Sequence, residues 1–170
     1  MNRLLAFAFV LVLVGFPLQR AESRLHGPDF ILHLAGSRNS TSPDSAVWNV
    51  GEPVRVIVTM INQSKRNIHC TLTNPAWDWE MDVRDSKGSP VAETDLLRQM
   101  KEDIKNGPRF VFRNILVTLR PSEEARDVIE VQTFYDLSRP GDYSVQIQRK
   151  FPEVTKEPIK SNRLLLTITP

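Results

Sequence analysis

Three acidic residues alternate along one stretch of the sequence, and their spacing could serve chemistry. Asp78, Glu80 and Asp82 lie two positions apart, so on a β-strand their carboxylates share one face at about 7 Å spacing. Paired carboxylates can hydrolyse a glycosidic bond or bind Ca²⁺. A strand face exposed to water carries the same stripe. The stripe therefore leaves a small hydrolase or carbohydrate-active enzyme open beside the solvated face that we favour.

The other residue types that could do chemistry do not form a recognisable set. His26, His33 and His69 lie outside the usual spacings of metal ligands, and no histidine follows Cys70 as a blue-copper site would need. The sequence contains no G-x-S-x-G motif. We predict no catalytic residues, no cofactor and no metal, and hence a non-enzymatic protein. Cys70 is interpreted as a small buried side chain, with an exposed thiol that pairs between chains as the alternative.

Aromatic and loop residues are the candidates for contact with a partner. Trp48 and Phe134 are predicted partner contacts, because exposed aromatic side chains can anchor a protein or stack on a sugar. Lys156 is a third, in the polar loop 150–161, since loops on a rigid scaffold often carry function. Trp77 and Trp79 alternate with charged residues and are predicted to lie in the core.

Period-two alternation of apolar and polar residues recurs along the chain and predicts short β-strands. The clearest are residues 54–61, 77–84, 143–147 and 164–168, and residues 68–73 are predicted to return antiparallel to residues 54–61. Residues 129–133 are read as a further strand, and residues 89–92 as a short partner strand after a hairpin turn that contains Gly88. Helical spacing of Leu97, Met100 and Ile104 predicts one short inserted helix at about 95–105. The fold class is therefore mainly β, an antiparallel immunoglobulin-like β-sandwich, with a closed barrel as the alternative.

A corner at Pro140-Gly141 precedes the strand that the other strands are expected to pack against. Tyr143 follows the turn glycine by two residues. A tyrosine at such a position can bury its ring between two sheets while its hydroxyl holds the neighbouring connection. We predict a structural corner made by Pro140, Gly141 and Tyr143.

The first 23 residues have the three parts of a secretory signal peptide. A basic start at Arg3 precedes an apolar run over residues 4–16, and Ala21-Glu22-Ser23 offers a cleavage site. The apolar run is too short for a typical membrane-spanning helix, although an uncleaved anchor stays an alternative. We predict residues 24–170 to form a single sandwich domain that is secreted or periplasmic. With 22 basic and 20 acidic residues, nothing indicates binding to nucleic acid or, after cleavage, to a membrane.

The order of turns and corner residues resembles that of a known domain family. Trp79-x-Met81-x-Val83-x-Asp85-x-x-Gly88, followed by Leu137-x-x-Pro140-Gly141-x-Tyr143-x-Val145, is similar to the intracellular proteinase inhibitor (BsuPI-like) domains. The same corner resembles uncharacterised secreted immunoglobulin-like proteins of soil bacteria. The resemblance covers about residues 50–169 and implies the fold, with inhibition of a proteinase as an analogy drawn from the fold alone.

The combination of a signal peptide, a sandwich pattern and no catalytic set predicts a secreted, non-enzymatic binding module. We expect it to contact an unknown protein or polymer through loops or a sheet edge. A proteinase inhibitor is the first alternative, and an enzyme that uses Asp78, Glu80 and Asp82 is the second.

Overall fold

The computed structural model describes residues 29–37, 42, 44–73, 78–105, 115–152 and 154–170. The predicted signal peptide, Trp77 and residues 106–114 lie outside these ranges. Ten strands form within the described ranges. They are β1 (Phe30–Gly36), β2 (Ser45–Asn49), β3 (Arg55–Asn62), β4 (Ile68–Leu72), β5 (Glu80–Asp85), β6 (Ile115–Leu119), β7 (Glu124–Glu130), β8 (Gly141–Arg149), β9 (Ile159–Lys160) and β10 (Leu164–Thr169).

The strands form two main sheets and a separate two-stranded ribbon. One sheet has the order β1-β3-β7, the other has the order β2-β10-β8-β5 with β9 beside β8, and the ribbon joins β4 to β6. All described pairings between strands are antiparallel except β2 with β10, which is parallel. The two main sheets pack face to face, so the predicted immunoglobulin-like β-sandwich is confirmed.

Alternation along the strands explains the core. In β3, Val56, Val58 and Met60 are buried while the residues between them are not, and Val145 and Ile147 of β8 follow the same rule. Inward rows from both sheets join one hydrophobic cluster. Because successive side chains of a strand point to opposite faces, the sequence pattern is enough to place these rows.

The predicted helix is confirmed and spans Asp95–Lys105 (α1). The Thr94 hydroxyl accepts a hydrogen bond from the Leu97 N–H at 3.3 Å, and the Thr94 carbonyl accepts one from the Arg98 N–H at 3.1 Å. Thr94 therefore acts as the N-cap. Leu97 is buried against the sandwich, and this contact holds the helix on the domain.

Residues 68–73 do not pair with residues 54–61, so that prediction is wrong. β3 lies between β1 and β7, and β4 pairs with β6 instead. Both sides of β3 are occupied, by β1 and β7, so no side is left for β4. The buried Asn62 amide donates to the carbonyl oxygens of Arg66 and Leu119. These bonds close the loop after β3 on itself and join it to the end of β6.

Three further segments differ from the expected strands. Val131–Thr133 forms a 3-10 helix, in which the Phe134 and Tyr135 N–H groups both donate to the Val131 carbonyl. The segment after the Gly88 turn makes an isolated bridge between Pro90 and Arg84 rather than a strand. β2 was not predicted, since its five residues adjoin a polar loop. Gly88 itself has φ of 78°, as its turn requires.

Candidate functional site

The acidic stripe does not form in the structure, because Asp78 is not on the strand face. Asp78 precedes β5, which begins at Glu80, and it is buried. Its carboxylate accepts hydrogen bonds from the N–H and the hydroxyl of Thr73, at 2.5 and 3.0 Å. The Arg149 guanidinium lies 3.4 Å from the same carboxylate. Asp78 therefore ties the end of β4 to the end of β8, which corrects the prediction of three carboxylates on one face.

Arg149 is held by aromatic rings as well as by Asp78. Its guanidinium carbon lies 5.3 Å from the ring centres of both Trp79 and Phe151, close enough for cation–π attraction. The guanidinium also donates to the Thr71 carbonyl. The side chain is only 16% exposed. These contacts give the Arg149–Asp78 pair a structural role at the end of the sandwich.

Asp82 is the carboxylate with the most hydrogen-bond donors on the outer face of the five-stranded sheet. The Arg84 guanidinium donates to both of its oxygens, at 2.9 and 3.0 Å, and Arg163 donates at 2.9 Å. The hydrogen bonds from Arg84, followed by those from Arg163, lower the pKa of Asp82 and outweigh its partial burial. Glu80 lies on the same face and is exposed.

A shallow cavity of about 330 Å³ lies on this face, and its wall is mainly polar. It is lined by Glu80, Met81, Asp82, Arg84, Gln146, Ile147, Gln148 and Lys160. A carboxylate that acts as a general acid needs a raised pKa, whereas the pKa of Asp82 is lowered and Asp78 is buried in an ion pair. The geometry therefore does not match the arrangement that the enzyme hypothesis requires.

Cys70 and the histidines do not come together as a metal site in the described ranges. No group of three or more His, Cys, Asp or Glu side chains there could hold a metal ion. Cys70 is buried, which confirms that interpretation of the thiol. His69 hydrogen-bonds through Nδ1 to the Thr118 hydroxyl on the neighbouring strand, at 2.9 Å.

Two of the three predicted partner contacts are buried. Trp48 is 1% exposed and Phe134 is 7% exposed, so neither ring reaches a partner in this structure, and both contact predictions are corrected. Trp48 lies on the inward row of β2, and the 3-10 turn before Phe134 directs that ring inward. Lys156 is exposed in its loop. Trp79 is in the core as predicted, and its indole N–H donates to Asp127 at 2.8 Å.

The corner before β8 is built around two tyrosine hydroxyls. Tyr143 is buried and donates to the Arg139 carbonyl at 2.8 Å, while Gly141 has φ of 150°, which side chains rarely allow. Tyr135, which we did not single out from the sequence, donates to the Met81 carbonyl at 2.8 Å and thereby joins the corner to β5. Burial, with a smaller effect from nearby carboxylates, raises the pKa of Tyr135 to about 12.

The outer face of the five-stranded sheet has a second part, on β2 and β10, with two exposed apolar side chains among uncharged polar ones, and sequence reasoning missed it. Val47 on β2 is 55% exposed and Leu165 on β10 is 56% exposed, and the register places both on adjacent strands. A signal was available, because Leu165 is an apolar residue at an outward position between the buried Leu164 and Leu166. Exposed apolar side chains grouped beside a charged surface are typical of contact sites.

The two packed sheets define an immunoglobulin-like β-sandwich. The chain belongs to the family of the flagellar collar protein C N-terminal domain, whose sequence model matches residues 43–169. This match supports an immunoglobulin-like bacterial domain and does not support the resemblance to the proteinase inhibitor domains. No curated protein matches the sequence significantly.

Several solved structures resemble the chain at low identity. The CARDB domain of a Pyrococcus furiosus protein, solved with di-metal ions, has 14% identity and a TM-score of 0.43, over 84% of this chain and 94% of that chain. A β-glucosidase from Erythrobacter marinus has 16% identity and a TM-score of 0.39, over 81% of this chain and 15% of that chain. The C-terminal domain of wzt has 16% identity and a TM-score of 0.39, over 85% and 75%. These likenesses are too distant to carry an argument about ligands or activity.

Within the described ranges, no helix has the length and apolar character needed to cross a membrane.

Proposed function

We propose that this chain is an exported, non-enzymatic module that contacts a protein within a larger assembly, through the β2 side of its five-stranded sheet. The observation that carries the proposal is the division of that sheet's outer face. Toward β5 the face is charged, and Asp82 there forms an ion pair with Arg163. Toward β2 it presents Val47 and Leu165. These two apolar side chains suit contact with a protein surface better than binding of a polar ligand.

The family supports the same kind of role. The matched family is named for a flagellar collar protein, and a collar is an assembly of protein parts. A β-sandwich with exposed apolar side chains on one sheet suits a scaffold in such an assembly, where burial of apolar surface supplies most of the association energy. The partner is therefore proposed to be a protein component of such an assembly.

A capture experiment tests the contact. The exported chain is used as bait in the extracytoplasmic fraction of its own host, beside Leu165→Lys and Lys156→Glu variants. We expect a protein that is captured by the wild type and by Lys156→Glu but lost with Leu165→Lys, because a charge at an apolar contact is costly. Loss with Lys156→Glu alone would place the contact on the loop 150–161. Capture of no protein, together with no self-association, would refute the contact function.

Export is proposed from residues 1–23 and has its own test. The N-terminus of the protein recovered outside the cytoplasm is expected at Arg24, because signal peptidase cleaves after a small residue that follows the apolar run. Mass spectrometry of the recovered chain measures this directly. An intact Met1 on membrane-bound protein would favour the uncleaved anchor instead.

A further inference from the structure

We propose that a second copy of this chain pairs with the free edge of β2, antiparallel to it, about a two-fold axis at Val47. The inference rests on the proposed function, since it names both the edge and a partner for the contact. An unpaired edge strand presents N–H and C=O groups to any strand that can approach, so proteins usually cover or protect such edges. The two main sheets have four edges, and they are protected unequally.

The edges at β1 and β5 are covered by other parts of the chain. Beside β1, the Asn162 side chain accepts from the Leu34 N–H at 2.7 Å and donates to the Leu34 carbonyl at 2.9 Å, as a neighbouring strand would. Beside β5, the segment that contains Pro90 returns along the edge, and the Val91 N–H donates to the Val83 carbonyl at 3.0 Å. Neither edge is open to a new strand.

The edge at β7 is exposed but protected. The carboxylate of Asp127 accepts the hydrogen bond of the Val128 N–H at 2.9 Å, which occupies the donor that another strand would need. Charged residues surround Val128 on the outward side of this strand, namely Glu124, Arg126 and Glu130. An inward-facing acid and outward charges are both recognised means of preventing edge-to-edge pairing.

The hydrogen bonds of β2 show which of its residues face away from the sheet. The Leu165 N–H donates to the Asp44 carbonyl at 2.9 Å, and the Val50 N–H donates to the Thr169 carbonyl at 2.8 Å. In a parallel ladder, alternate residues direct their backbone groups to a given neighbour. Val47, three residues from both Asp44 and Val50, must therefore direct its N–H and C=O to the free side.

At both ends of this free edge, a backbone N–H group already has a partner within the chain. Val47 is the residue between them. The Ser45 N–H donates to the Ser42 carbonyl at 3.3 Å, and the Asn49 N–H donates to the Glu52 carboxylate at 2.9 Å. Neither backbone group of Val47 is directed toward β10, and within the described ranges no loop or cap bonds to them. The edge also carries no lysine, proline or inward-facing acid at residues 45–49.

The edge is complementary to itself. An antiparallel two-fold pairing centred on Val47 places this residue opposite Val47 of the second copy, with the two exchanging both backbone hydrogen bonds. Ser45 then lies opposite Asn49, so no charges meet. The same operation at the midpoint of β7 sets Glu124 against Glu130, and like charges directly opposite each other are destabilising. With no charged residue at positions 45–49, β2 therefore suits a second copy better than β7 does.

Sedimentation of the exported, purified chain tests the proposal. Since the free edge is short, we expect a weak dimer, with a Kd on the order of 10–100 μM. Val47→Lys should weaken the dimer by at least about tenfold, because it places two ammonium groups opposite each other. Val128→Lys is the matched control, since Val128 also lies on an edge strand and is 53% exposed against 55% for Val47. It should leave the Kd unchanged.

A cross-link keeps the test decisive if the lysine variant folds poorly. Val47→Cys should form an intermolecular disulfide on oxidation, since directly opposed residues of antiparallel strands lie within disulfide range, and Val128→Cys should not. Cys70 is buried and does not compete.

Three results would overturn the self-pairing. They are a wild type that stays monomeric up to about 0.5 mM, equal weakening by both lysine variants, and equal cross-linking by both cysteine variants. A monomeric wild type that still captures a different protein, with capture lost in Leu165→Lys, would overturn the self-pairing and leave the proposed function standing.

Discussion

Replacing Asn62 with alanine is expected to lower the free energy of unfolding by about 3 kcal/mol. Asn62 is fully buried where β3 ends. Its amide nitrogen donates to the carbonyls of Arg66 and Leu119 at 2.8 and 2.9 Å, and its oxygen accepts from the Ser64 N–H and hydroxyl at 2.9 and 2.7 Å. Four hydrogen bonds are therefore lost together.

The size of this loss in unfolding free energy depends on which buried groups have no hydrogen-bond partner once the Asn62 side chain is removed. The Arg66 carbonyl keeps a hydrogen bond from the Ser64 hydroxyl at 3.1 Å, which limits the loss there. The Leu119 carbonyl and the Ser64 N–H are buried, and both lose the Asn62 side chain as their hydrogen-bond partner. A buried polar group without its hydrogen bond costs about 1–3 kcal/mol, so two such groups give a loss of about 3 kcal/mol. A typical domain has only about 5–15 kcal/mol in total.

Urea unfolding, followed by far-ultraviolet circular dichroism, measures the loss. The midpoint should fall with an unchanged m-value, and Tm should fall by about 9 °C, at about 3 °C per kcal/mol for a chain of this size. Gln63→Ala is the control, because Gln63 is the exposed neighbour in the same loop. An Asn62→Ala protein within about 0.5 kcal/mol of the control would refute the reasoning, and would mean that the loop after β3 repacks without its amide.

Two further variants test the buried polar contacts. Asp78→Ala should lower the free energy of unfolding by about 3 kcal/mol, because it leaves the largely buried Arg149 guanidinium without its carboxylate; urea unfolding beside the exposed control Glu80→Ala measures it, and equal stability of the two variants would contradict the structural role. Tyr135→Phe should cost about 1 kcal/mol at neutral pH, since the Met81 carbonyl loses its donor. The folded protein raises the pKa of Tyr135 from 10.0 to about 12, so it holds this proton more tightly than the unfolded chain, and the wild type should lose stability as pH rises from about 10 to about 12. The phenylalanine variant should lose less over that window, and an equal loss in unfolding experiments would show that this tyrosine is not responsible.

Much of the fold was predictable because it depends on local periodicity. The inward rows of β3, β8 and β10 follow from alternation alone. The helix follows from the spacing of its apolar residues and the cap at Thr94. These features need only the geometry of a single element, which neighbouring residues determine.

The candidate site was less predictable, because its residues owe their roles to distant partners. Asp78 continues the alternation of β5 in sequence, yet its burial depends on Arg149, and Phe134 is turned inward by a 3-10 helix that alternation does not reveal. In both cases the local pattern was compatible with two environments, and long-range contacts selected one.

The sequence by itself determined a mainly β fold with one helix and a tyrosine corner, since these follow from local spacing and turn residues, and it favoured a sandwich over a closed barrel. Only the tertiary structure decided which strands become neighbours, since that depends on contacts between residues far apart in the chain. β4 pairs with β6 rather than β3, and β2 joins β10 in parallel. Strand order also decides which edges are covered, so only the folded chain shows that Val47 lies on an uncovered edge strand.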